Sequence, residues 1–287
     1  MKKKQRIAVA QMLVCAALWS TGGILIKLID WNPFVIAGVR SLLAAATIGI
    51  YMAVTRQKVI FSKNTVISMF FLAATFICFV TANKFTTAAN AIVLEFTSPI
   101  FIVLFSALLF RQKFKASELA IVLLTFAGIT LFFITGLQGG QLFGNILGIL
   151  AGVFVAGMYI TVGQATDGEK MSGILLGQLL TALIGLPFAF FTQGTVSVTT
   201  VSAVVVLGVL QIGIPYIFLG LAVRYCPPLP CCLIGAVEPL LNPVWVLLFN
   251  GERPGPFALV GGVIIIAAVT AQCVLQAKAP ARESAPA

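Results

Sequence analysis

The sequence has no histidine, and only 8 of its 287 residues are acidic. Without imidazole there is no histidine metal centre and no histidine-based acid–base pair, which removes most hydrolase and transferase chemistry. Six cysteines, at 15, 78, 226, 231, 232 and 273, show neither metal-ligand nor disulfide-framework spacing, and read as small helix-packing residues. No Gly-rich phosphate loop of the GxxxxGK[ST] kind occurs, nor a polar stretch long enough for a soluble domain, so the chain is not itself an ATP-driven pump. No cofactor or metal is expected. Charge is scarce as well: 9% of residues are charged and 60% hydrophobic, against about 25% and 45–50% in soluble chains. No soluble core absorbs that excess, so lipid is the solvent and the bilayer is the first partner. The net charge of +10 is spread over short loops rather than one soluble face, which excludes nucleic acid.

What the sequence does contain is long apolar runs. About 20 helical residues cross a 30 Å hydrocarbon core, and ten runs approach that length, at 7–28, 34–54, 65–83, 88–110, 117–135, 143–164, 173–192, 201–222, 229–250 and 256–276. Barrel strands would be about 10 residues long and alternating, so the expected fold is an all-α polytopic membrane protein. The run after MKKKQR is longer than a signal h-region and is read as a retained first helix. With the N-terminus inside, fourteen Lys/Arg fall in inner segments: Lys2, Lys3, Lys4, Arg6, Arg56, Lys58, Lys63, Arg111, Lys113, Lys115, Lys170, Arg224, Lys278 and Arg282. Lys27, Lys84 and Arg253 fall outside, and Arg40 lies within a helix. This bias predicts both termini in the cytoplasm.

The chain also repeats itself. At an offset of 140, Ala82 meets Ala222, Lys84 meets Arg224, Phe85 meets Tyr225 and Pro99 meets Pro239. Each half holds five helices, an odd number, so the second half must enter the membrane from the opposite side. Inverted five-helix repeats are a secondary-transporter architecture, with the site near the midplane between the halves.

Ala17-Leu18-Trp19-Ser20, Arg40, Pro99 followed by Arg111-Gln112-Lys113, and Glu238-Pro239 followed by Gly251-Glu252-Arg253 together resemble the EamA-type, ten-helix branch of the drug/metabolite transporter superfamily. The resemblance covers nearly the whole chain. It implies a first EamA-like repeat over 1–138, a second, inverted one over 139–278, and a disordered cytoplasmic tail over 279–287. It further implies an alternating-access carrier whose central cavity is lined by helices 1, 3, 4, 6, 8 and 9, and substrates of the amino-acid or related-metabolite kind. The first repeat departs from the second in having Arg-Gln-Lys where the second has Gly-Glu-Arg, a turn read as structural.

Two acids lie inside apolar runs, Glu95 and Glu238. An ionised side chain at the bilayer centre costs about 2.5–3.5 kcal/mol, so each must face the bundle interior, a partner or water. Glu95 and Arg40 both fall about 10 Å from the outer helix ends at 1.5 Å per residue, which allows a structural ion pair beside a functional role for Glu95. Glu238, about 14 Å from the inner side, has no basic residue at its depth, and burial without a cation disfavours its ionised form. It is the stronger candidate for proton coupling or for holding a cationic group, with a structural carboxyl beside a proline as the bland alternative. Pro99, Pro239 and Pro243 each free a carbonyl one turn earlier, which suits either a cavity lining or a simple kink. Trp19, Asn83, Asn90, Tyr159, Gln211, Tyr216, Asn242 and Trp245 are the other polar or aromatic candidates, each with packing or anchoring as the alternative. Gly144, Gly148, Gly152 and Ala156 form a small-residue stripe for close helix packing.

The function these features predict is secondary active transport of a small polar or amphiphilic metabolite, of amino-acid or organic-amine type, across the cytoplasmic (inner) membrane. Protons or exchange supply the coupling, and a monomer suffices. A passive channel is the alternative, and a membrane-embedded enzyme lacks the clustered acids or nucleophile–base set it would need.

Overall fold

The computed structural model describes residues 2–134, 141–192, 194–241, 245 and 255–278. Among these there is no strand, and ten apolar helices follow in order: α1 Lys3–Leu28, α2 Pro33–Val54, α3 Lys63–Phe85, α4 Asn90–Phe110, α5 Ala116–Leu131, α6 Leu142–Gln164, α7 Asp167–Phe190, α8 Val198–Ala222, α9 Pro228–Leu241 and α10 Leu259–Leu275. Seven of them are long and apolar enough to cross a membrane as they stand, and α5, α9 and α10 are shorter. The expected ten helices are there, as two five-helix halves. The predicted stretches 242–244, 246–250 and 279–287, with Asn242 and Pro243, lie outside the described residues.

Local sequence sets the boundaries. Ser62 and Thr65 cap α3 reciprocally, Thr65 N–H donating to Ser62 Oγ at 3.2 Å and Ser62 N–H to Thr65 Oγ1 at 2.7 Å. Thr166 and Glu169 open α7 in the same way, with Glu169 Oε2 accepting from Thr166 N–H at 2.8 Å. This capping box moves the start of α7 to Asp167, six residues before the predicted 173, because the polar Asp-Gly-Glu-Lys stretch is the first helical turn rather than a loop.

Packing repeats the sequence symmetry. α1 packs on α8 and α6 on α3, while α2 pairs with α7, α4 with α9 and α5 with α10. Exchanging each helix with its counterpart five places on returns the same set of pairs, as two copies related by a pseudo-twofold axis in the membrane plane require. The α2–α7 crossing is very close: a Cβ on Gly185 would stand 2.2 Å from the Phe34 carbonyl, and one on Gly38 2.7 Å from Leu186 N. Small residues at such points let helices gain contact area that lipid cannot supply.

Besides α7, which ends in a 3-10 segment over Leu186–Phe190, four helices are irregular along their length, and the sequence does not announce two of these departures. α1 is interrupted between Trp19 and Gly22, α4 between Glu95 and Ser98, and α9 after Ile234. α8 carries a π-helical stretch over Leu207–Gly213. The α4 and α9 interruptions follow from Pro99 and Pro239. The α1 interruption has no proline; it sits where Gly22 leaves room for the Gln211 side chain, whose Nε2 would be 2.7 Å from a Cβ there.

A cavity at the helix interruptions

The four irregular segments converge. A cavity of about 70 Å³ is lined from α1 by Trp19, from α3 by Thr75, Phe76 and Phe79, and from α4 by Glu95, Phe96 and Ser98. α6 adds Val155, Met158 and Tyr159, α8 adds Gln211, Ile212 and Tyr216, and α9 adds Cys232, Gly235 and Glu238. These are the six helices expected, joined by Arg40 from α2. Of the predicted residues, the fold therefore brings Trp19, Arg40, Glu95, Tyr159, Gln211, Tyr216 and Glu238 to one place.

The interruptions expose backbone as well as side chains. Pro99 has no N–H for the Glu95 carbonyl, and that oxygen lies against Gly152, 2.9 Å from where a Cβ there would stand. In α9 the carbonyl left by Pro239 is that of Gly235, and it accepts the Glu238 N–H at 2.8 Å. Gln211 holds the α1 interruption from the other side, its Nε2 donating to the Trp19 carbonyl at 3.3 Å.

Arg40 is 1% exposed, with its guanidinium carbon 5.3 Å from the centre of the Phe76 ring. It feels the Glu95 carboxylate electrostatically, but the two are not in contact: among the described residues, charged groups come within 4.0 Å at Lys170–Asp167 and Arg224–Asp167. Glu95 and Glu238 are both half-buried and interact electrostatically. Aromatic rings complete the wall. Tyr216 packs on Trp19 with centroids 5.5 Å apart, and on Phe76 edge-on at 5.2 Å. Ser98 Oγ and Cys232 Sγ stand 3.3 Å apart. Three buried polar atoms on cavity-lining residues have no hydrogen-bond partner: the donors Trp19 Nε1 and Arg40 Nε, and the acceptor Gln211 Oε1.

The other candidates lie elsewhere. Asn83 is buried in α3 and donates to the Phe79 carbonyl at 3.1 Å. Asn90 donates to Thr86 Oγ1 at 2.9 Å and Asn145 Oδ1 at 3.0 Å, tying the start of α4 to α3 and α6. Trp245 donates its indole N–H to Ser20 Oγ at 2.8 Å, within the α1 interruption rather than into the cavity. Phe76, Thr75, Ser98 and Cys232 were not singled out as site residues. Phase along the repeat would have found two of them: Trp19 and Tyr159, Phe76 and Tyr216, Glu95 and Gly235, and Ser98 and Glu238 are all 140 apart, and all eight line the cavity.

A cavity lined by charged, polar and aromatic side chains between two repeated five-helix halves of a membrane-embedded bundle is the construction of a membrane transporter. The EamA-like transporter family matches the chain twice, over residues 6–134 and 142–271, and the chain belongs to that family. It is similar to an uncharacterized transporter of Archaeoglobus fulgidus, 28% identical over 66% of this chain and 68% of that one. It is also similar to the uncharacterized transporter YxxF of Bacillus subtilis, 23% identical over 92% and 89%. A crystal structure 17% identical to the chain shares its fold with a TM-score of 0.77, over 93% of this chain and 96% of the other.

Proposed function

We propose that the protein is a secondary carrier for a small zwitterionic, amino-acid-like metabolite, working by alternating access and coupled to protons or exchange through Glu238. One observation carries this reading: residues that line one cavity hold buried donors and an acceptor without partners. The free Trp19 and Arg40 N–H groups suit a carboxylate. Glu238, Glu95 and the free Gln211 carbonyl oxygen suit an ammonium group, with the Trp19, Phe76, Tyr159 and Tyr216 rings for the apolar remainder. A purely cationic amine would leave the two donors unpaired, and buried polar groups left unpaired cost about 1–3 kcal/mol each. The cavity of about 70 Å³ is smaller than ligand-filled pockets, which run to about 300 Å³ and more. This supports a closed conformation that widens to load. The basic loops favour the inner membrane with both termini cytoplasmic, and one chain suffices for the path.

Counterflow in proteoliposomes tests the mechanism: substrate on the far side should accelerate uptake of labelled L-amino acid, whereas a channel gives no acceleration. Arg40→Gln tests the recognition. With L-amino acids the apparent KM should rise about thirtyfold, the loss of about 2 kcal/mol for one charged hydrogen bond, and the matching decarboxylated amines should be little affected. Equal losses for both would remove the carboxylate from the reading.

A further inference from the structure

The cavity lies between two helix pairs, α1 with α8 and α3 with α6, and each membrane face carries a polar clasp that ties one pair to the other. At the face away from the N-terminus, Lys84 at the end of α3 donates to the carbonyl of Ile29, the C-cap residue of α1, at 2.5 Å. Asp30, next in the chain, interacts with the same ammonium. Lys27 at the end of α1 reaches back, its Nζ donating to the Thr86 carbonyl just beyond α3 at 3.2 Å. At the N-terminal face, Arg224 just beyond α8 holds its Nε 3.5 Å from Oδ1 of Asp167, the first residue of α7. Lys170 contacts that carboxylate at 3.0 Å and donates to the carbonyl of Ala165, the C-cap residue of α6, at 2.6 Å.

The two clasps are one device made twice. Lys84 and Arg224 are repeat equivalents, 140 apart. The α1–α2 and α6–α7 junctions that they grip are also equivalents, with the local charges interchanged: Lys27 meets Asp167 and Asp30 meets Lys170 at the same offset. Inversion of the repeat puts the copies on opposite faces. Each joins the α1/α8 side of the cavity to the α3/α6 side, so opening either face requires the clasp there to part. Both are engaged here, and the cavity between them is small. The Asp167 carboxylate is half exposed. Such contacts are weak individually, which suits links that must break and reform in every cycle, whereas buried apolar packing does not release on that scale.

We propose that Lys84 and Arg224 are gate-positioning residues, the first holding the face away from the N-terminus closed and the second holding the N-terminal face closed. This rests on the alternating-access reading above. Cys232, which lines the cavity, supplies the readout. Purified full-length protein is reconstituted, a small membrane-impermeant methanethiosulfonate carrying a sulfonate is added to one side at a time, and modification of Cys232 is followed by peptide mass spectrometry. Lys84→Ala should raise the Cys232 labelling rate about tenfold from the face away from the N-terminus and lower it from the other. Arg224→Ala should do the reverse, and the conservative variants Lys84→Arg and Arg224→Lys should restore the wild-type rates. If either alanine variant fails to fold, Asp167→Asn, which removes only the charge of the second clasp, should copy Arg224→Ala.

Equal changes from both sides, or none, would overturn the gate assignment while leaving the carrier intact. Wild-type protein without counterflow would instead sink the carrier reading, whatever the labelling.

Discussion

Replacing Glu238 with glutamine is expected to lower uptake driven by a pH gradient at least about thirtyfold, with the protein still folded and counterflow retained at saturating substrate. The expectation follows from where the side chain stands. Glu238 is the second residue of the second segment of α9, half-buried on the cavity wall. It interacts with Glu95 across the cavity, and no charged group of opposite sign comes within 4.0 Å of it among the described residues. In the coupling proposed above, the side chain exchanges its charge for a proton or a bound ammonium group as the surroundings close. Glutamine has the same shape and its own donors and acceptor, so packing beside Pro239 survives, but it carries neither charge nor a releasable proton. Losing a charge-assisted contact costs about 1.5–3 kcal/mol, which sets the size of the effect. The measurement is uptake into proteoliposomes with and without an imposed pH gradient, alongside counterflow. Gradient-driven uptake at the wild-type rate, with the same pH profile, would remove Glu238 from the coupling step.

Gly152→Val is expected to lower the melting temperature by about 5–10 °C and to abolish transport, whereas Gly49→Val should do neither. Gly144, Gly148 and Gly152 form a stripe on α6 that receives the connection into α4 and α4 itself. Cβ atoms there would meet the Phe85 backbone at 2.6 Å, the Leu94 side chain at 2.9 Å and Thr97 Oγ1 at 2.6 Å in turn. At Gly152 the next neighbours are the carbonyl oxygens of Glu95 and Leu94, at 2.9 and 3.0 Å. Backbone cannot rotate away as a side chain can, so a branched residue must push the α4 interruption, and Glu95 with it, off α6. Overpacking of this sort costs about 1–3 kcal/mol, and about 2–4 °C accompanies each kcal/mol in chains of 150–250 residues. Gly49 has nothing within 4 Å of its Cβ position, so the same substitution there meets open space. A Gly152→Val protein that melts and transports as wild type would show that α4 can be displaced without consequence.

The fold was legible because its main determinants are one-dimensional. Run length set the helices, and the proline and basic-residue offsets set the repeat. The site was legible in part: buried acids are so costly in lipid that Glu95 and Glu238 could be identified without coordinates. The interruption of α1 was not legible, because it depends on Gln211 arriving from α8, almost 200 residues away, and no local propensity encodes that. The π stretch of α8 is hidden for a similar reason, its sequence being as apolar as any regular helix. Asn83 and Asn90 stand out in the sequence by polarity alone, but their depth and azimuth turn them away from the cavity. Phe76 is silent in the sequence because one phenylalanine of 23 carries no signal until its repeat partner Tyr216 is placed beside it.

The repeat-equivalent positions in the cavity hold unlike residues: Glu95 faces Gly235 in the correspondence, and Ser98 faces Glu238. The halves are alike in shape but no longer interchangeable. A molecule assembled from two first halves would carry Glu95 twice and no counterpart of Glu238, and one made from two second halves would lose Trp19 and Phe76 for a pair of tyrosines. Division of labour between the duplicates has made each half dependent on the other, and the chain has thereby lost the freedom to dissolve back into a dimer of identical subunits.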